Sequence, residues 1–319
     1  MYTDIHTDFI LTPIQAILEQ GINAAQSLPY GIDSFPISEY HLQSLFLRMC
    51  GASEQKMKCI LWQMATDDYQ YRYKYLNYQG LGEFSTYASK NIVFQDLISQ
   101  IVKLCLKFNP QSIWDDYEYA PETIEQEREI WINRVKVCRQ KQIDHIKRKR
   151  ADSGNPMSQQ EVDKMTNGIM GCPFKEDDFK IHLAASKCRS RISQILEETY
   201  NMFANTNFES WRNVDLQNYH TLCQKLIRGC DIVVSNKDNF SLFSNKMVRL
   251  YDSLVYQHRN RIAHNTVSYQ QNLPALETLS DKNYYQYNYF FRFAIILIVD
   301  EIFIRLYRVF LDVRKKMVN

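Results

Sequence analysis

The sequence predicts an all-α protein, and three observations carry that prediction. Long segments repeat apolar residues at the three-to-four-residue spacing of one helix face. Nine glycines and eight prolines in 319 residues are too few for the dense turns of an all-β fold. A composition of 45% apolar and 23% charged residues is that of an ordinary globular chain, with enough apolar side chains to pack such helices around a core. The expected architecture is a helical bundle in two parts. An N-terminal helical domain occupies 1–150 and a four-helix C-terminal domain occupies 175–319, with a linker or surface excursion at 151–174 between them.

The elements follow in order. "ILTPIQAILEQGI" reads as a short helix, and "SLPYGIDSFP" as an irregular stretch punctuated by Pro and Gly. "SEYHLQSLFLRMC" starts a helix with Ser38 as N-cap and Leu42, Leu45, Phe46 and Leu47 as apolar residues. "SEQKMKCILWQMATDDYQYRYKYL" reads as a second helix whose tail, "YQYRYKY", alternates with a strand-like period. "SKNIVFQDLISQIVKLCLKF" has a broad apolar face from Ile92 to Leu106. The long helix beginning "PETIEQE" has Pro121 and Glu122 in its first turn and a basic far end, an order that suits the helix dipole. The polar segment 151–174 holds three of the glycines and two of the prolines. Further helices are expected over "DDFKIHLAASKCRSRISQILEETYNMF", "VDLQNYHTLCQKLIRGCDIVV", "FSLFSNKMVRLYDSLVYQHRNRIAHN" and from Tyr284 to Lys315.

The bulk numbers exclude several classes. The net charge of +2 names no partner by itself. The start, "MYTDIHTDFILTPIQ", has no basic region followed by a long apolar run, and "FAIILIV" stops at Asp300, too short to span a membrane. With no export signal, a cytoplasmic protein is expected that keeps its eight cysteines, none in a CxxC pair, reduced. Cys172, His182 and Cys188 match no common zinc spacing, so neither a metal site nor a cofactor is expected.

The chemistry concentrates in "QHRNRIAHNT", Gln257 to Thr266, at the end of a helix whose apolar face is Phe243, Met247, Leu250, Leu254 and Ile262. Asn260 and His264 are four apart and share a face. Arg259 sits roughly 140° round an ideal helix from His264, within reach of a long side chain. An imidazole that exchanges protons near neutral pH and a guanidinium that stabilises added phosphoryl charge suit phosphodiester cleavage. RNA supplies its own nucleophile, the 2′-hydroxyl.

Arg259-Asn260-x-x-x-His264 resembles the signature of HEPN-fold ribonucleases, in the form R-N-x-x-x-H, and the resemblance covers 175–319. It implies a four-helix bundle with the motif at the end of its third helix and a homodimer whose two motifs form one metal-independent active site. Arg259 and His264 would be catalytic and Asn260 would support them. It further implies RNA as substrate, a role in phage defence or as a toxin, and an antitoxin or defence-system partner. Some HEPN-like domains are instead non-catalytic modules that bind RNA or nucleotides or hold an assembly together. Thr266 stands where nucleotide-modified members carry a tyrosine, two residues after the histidine, so that form of control is not expected.

Other segments have bland and functional readings side by side. Asp300 and Glu301 interrupt an apolar helix and either orient Arg259 or Arg261 or lie on its exposed face. Arg261 is at most an RNA contact. The basic run Arg134–Arg150, which ends in Lys147, Arg148, Lys149 and Arg150, is a solvated helix end or an RNA-backbone contact. Arg139 to His145 also fits the loose motif and reads as a solvated basic face. The tyrosines of "YQYRYKY" suit an interface or the stacking of unpaired bases.

Overall fold

The structure is a computed structural model that describes residues 4–26, 34–77, 83–204, 206, 208, 223, 224, 226, 227, 233–236, 239–264 and 289–318. It is all-α apart from one small hairpin. The helices are α1 (Ile5–Leu11), α2 (Gln15–Ala24), α3 (Phe35–Asp67), α4 (Tyr69–Leu76), α5 (Tyr87–Leu104), α6 (Pro121–Asp152), α7 (Gln159–Met170) and α8 (Glu176–Met202). The antiparallel pair β1 (Val233–Asn236) and β2 (Asn239–Ser241) follows. Then come α9 (Asn245–Tyr251), a π-helical segment Asp252–Tyr256, α10 (Gln257–His264) and α11 (Tyr289–Val318).

The chain divides into two compact units, one made of Met1–Ile113 with Arg189–Asn319 and the other of Trp114–Cys188. This corrects the division expected at 150 and 175. The reason is α11. Every residue from Tyr289 to Asp300 is buried, so this helix needs apolar partners on all sides. It finds them in α5 and α3, where Phe94 meets Phe303 edge-on and Phe46 meets Phe293, each pair 6.3 Å between ring centroids, and α1 also packs against it. The first and last parts of the sequence therefore build one core. No described helix is long and apolar enough to cross a membrane.

Several local expectations change for physical reasons. The first expected helix is two, because Pro13 has no N–H to continue α1. The two helices expected around Gly51 are one, α3. Ser38 lies inside it, buried, and is not its N-cap. "YQYRYKY" is helical, since the Asp68 carboxylate caps α4 by accepting the N–H groups of Gln70 and Tyr71. The expected linker contains α7, which starts on a capping box of Ser158 and Glu161. Most of the helix expected near 214–234 lies outside the described residues, and its last part is strand β1.

In the second unit α6 and α7 pack together, and Trp131 lies 5.5 Å from both Phe174 and Phe179. Arg128 forms a two-pronged pair with Glu176, both contacts at 2.9 Å, and its guanidinium lies 4.1 Å over the Phe179 ring.

Candidate functional site

The motif helix is broken in its middle by the π-helical turn, where the Gln257 N–H bonds to the Asp252 carbonyl five residues back. The wider turn keeps Leu254 and Val255 both buried. The buried face is Met247, Tyr251, Leu254, Val255 and His258, whereas Leu250 and Ile262 of the expected stripe are only half-buried.

Arg259 and Asn260 do meet. The Arg259 Nη1 donates to Asn260 Oδ1 at 3.1 Å. On its other edge Arg259 Nε lies 3.4 Å from Glu54 Oε1 of α3, and both side chains are mostly buried. The geometry thus adds Glu54 to the set, a residue that no motif or spacing singles out because it lies about two hundred positions away. His264 is exposed at the end of α10 and makes no hydrogen bond or ion pair among the described residues. Arg261 is exposed and its Nη2 approaches His258 Nδ1 at 3.5 Å. Asn265, Thr266 and Tyr269 lie outside the described residues.

Beneath Arg259 is a cavity of about 10 Å³, room for one water-sized molecule, lined in part by Ser53, Glu54, Ser85, Lys90 and Tyr251. Lys90 donates to Ser53 Oγ at 3.0 Å, and burial, with Arg259 adding to it, brings its ammonium down to about 8. The buried Ser85 Oγ has no hydrogen-bond partner among the described residues, and Tyr251 donates to the Ser85 carbonyl at 3.1 Å.

Behind the motif a buried polar chain ties α10 to α3 and α11. Tyr289 donates to Glu39 Oε1 at 3.0 Å, the Tyr289 hydroxyl is 3.0 Å from His258 Nε2, and Arg292 Nη1 donates to that same nitrogen at 3.1 Å. Burial, then the positive charges of Arg292 and Arg261, push His258 well below the usual histidine range, so its ring stays neutral. Burial raises the Glu39 carboxyl. His258 is therefore a packed core histidine, with Phe46 at 5.1 Å between ring centroids.

Asp300 and Glu301 do not orient the motif arginines, nor do they lie on an exposed face. Asp300 binds Lys56 Nζ at 2.6 Å and accepts the Ile14 N–H at 2.7 Å. Glu301 binds Arg305 Nε at 2.7 Å and Arg191 Nε at 3.2 Å. Both carboxylates sit on a helix buried almost all round and are neutralised by the cations packed against them.

Of the basic residues, Lys147, Arg148, Lys149 and Arg150 are exposed and make no ion pair among the described residues. Arg139 does not share a solvated face with His145. Its guanidinium donates to the Met170 carbonyl at 3.1 Å and lies 4.8 Å over Phe174, while His145 is exposed. His182 pairs with Glu127 at 2.9 Å, and the Cys172 thiol donates to the Gly168 carbonyl at 3.3 Å. Among the described residues no group of three His, Cys, Asp or Glu side chains is placed to hold a metal ion. No protein-family model matches the chain, and no match is found among curated proteins or solved structures.

Proposed function

We propose that the protein is a metal-independent endoribonuclease of the HEPN type, acting as a homodimer in which two copies of the motif form one site. The observation that supports this is the state of Arg259. It is drawn into a defined position by Glu54 and Asn260, on the same short helix that ends in the exposed His264. Its Nη2 has no partner among the described residues and is free to meet a phosphate oxygen.

In the proposed reaction the ribose 2′-oxygen attacks the adjacent phosphorus, and its proton passes to the imidazole of His264. Arg259 neutralises the charge that builds on the phosphorane oxygens. The bond from phosphorus to the 5′-oxygen breaks, and a protonated imidazole returns a proton to that oxygen. The products are a 2′,3′-cyclic phosphate and a 5′-hydroxyl. A place in phage defence or as a toxin rests on the family resemblance alone.

A non-catalytic RNA- or nucleotide-binding module is the second reading, and one observation favours it: the Glu54 ion pair already engages one edge of Arg259. Incubation with a mixed RNA pool in EDTA separates the two. The parent protein is expected to leave cyclic-phosphate ends, and His264→Ala is expected to lose about 10²–10⁴ in rate with an unchanged melt. Equal cleavage by both proteins removes His264 from the mechanism. RNA retention without cleavage by either favours the module.

A further inference from the structure

Helix α6 is divided by charge. Its first turns carry Glu122, Glu125, Glu127 and Glu129, while Arg134 to Arg150 holds eight cations and one acid, Asp144. The structure sorts those cations by face. Trp131 and Ile143 are buried, and Arg139 is fastened to the Met170 carbonyl, which fixes the side of α6 that packs. Arg134, Lys141 and Arg148 are all exposed and fall at i, i+7 and i+14. On an α-helix that spacing is a single stripe about 21 Å long, with cations about 10.5 Å apart. His145, also exposed, lies beside it. None of the three cations has an ion-pair partner among the described residues. Lys149 is exposed too, whereas Arg150 lies near enough to Glu161 to lower that carboxyl.

We infer that this stripe is a binding surface for the phosphate backbone of RNA, a deepening that rests on the reading of RNA as the substrate. Three cations spaced along one helix, none with an ion-pair partner among the described residues, offer a polyanion sites along its length, and they read charge and not sequence. The helix is held in place by the paired Arg128–Glu176 contact and the packing of Trp131, so the stripe is displayed on a fixed rod. The Glu residues of the first turns would repel a backbone there, which confines the surface to the far half. An anionic membrane is a poorer fit, because the only large apolar residues exposed on α6 are Ile130 and Val137.

The test uses the full chain carrying His264→Ala, so that binding is read without cleavage, and a fluorescent single-stranded RNA titrated at several salt concentrations. The triple variant R134Q/K141Q/R148Q is expected to bind at least tenfold more weakly at low salt. The slope of log K against log salt should fall by about 2, the share of three phosphate contacts on a single strand. K246Q/K315Q/K316Q removes the same charge from exposed lysines of α9 and α11 and is expected to bind like the parent. An unchanged affinity and slope in the stripe variant would overturn the proposal. So would an equal loss in the control, or a loss confined to anionic vesicles with RNA binding intact. Retained binding with no nuclease activity in the parent would count against the enzyme reading and leave the stripe standing.

Discussion

At the scale of single residues, the Arg259 guanidinium is held between Glu54 at 3.4 Å and Asn260 at 3.1 Å. An arginine is useful to a phosphorane only if its guanidinium is held, and Glu54 supplies the holding charge from 3.4 Å. Replacing that carboxylate with an amide keeps the shape and loses the charge. On the proposed nuclease reading, Glu54→Gln is expected to lower kcat roughly tenfold, from a charged contact worth about 1.5 kcal/mol, while RNA affinity changes little. Steady-state cleavage beside a binding titration checks this, and an undiminished kcat would show that Glu54 only neutralises Arg259. Arg259 was legible because its neighbours in sequence form a pattern. Glu54 was not, because a partner reached through tertiary packing leaves no periodic trace. The same holds for Asp300 and Glu301. The apolar run around them left an exposed face open as a reading, and their cations, Lys56, Arg191 and Arg305, come from distant helices or a later turn that no pattern announces.

At the scale of elements, long apolar periodicity was a good guide and short polar stretches were not. Helices α5, α6, α8 and α11 stand close to where spacing put them. The tyrosine-rich α4 is ambiguous in sequence because alternation over seven residues fits a strand as well as a helix end, and a cap favours the helix. Asp68 holds two backbone N–H groups of α4 and binds Lys103 at 2.6 Å. The Lys103 contact, with the N–H of Tyr71 and the Gln100 amide helping, holds the Asp68 carboxyl down to about 2, against an ordinary 3.8. A depressed carboxylate contributes stability above its unfolded value and loses it as pH falls through the folded value. Asp68→Ala is thus expected to cost about 1–2 kcal/mol at pH 7, the range of a lost cap. The gap between parent and variant should hold down to about pH 4 and close as pH approaches 2. Denaturant melts across that range measure it, and a gap that persists at pH 2 would mean that the cost lies in packing and not in the carboxylate.

At the scale of the whole molecule, the fold class was legible and the division of the chain was not. Glycines, prolines and polar runs mark where a chain can turn, and 151–174 carries them, yet that segment holds a capped helix inside a compact unit. What decides a unit is which apolar faces meet, and α11 meets α3 and α5. A fragment of residues 175–319 would keep the motif and lose those partners. It would take Phe46 from Phe293 and Phe94 from Phe303, strip Tyr289 of Glu39, and leave Asp300 without Lys56. An unpaired charge on an apolar helix and an uncovered core are each destabilising by several kcal/mol. Expressed alone, that fragment is expected to be helical by circular dichroism but to aggregate or unfold without a cooperative transition, while the full chain melts sharply. A soluble fragment with a cooperative melt would show that the four-helix region folds by itself. The motif would then belong to an autonomous domain, as the family resemblance implies, and the packing of α3 and α5 on α11 would be an addition to a bundle already complete.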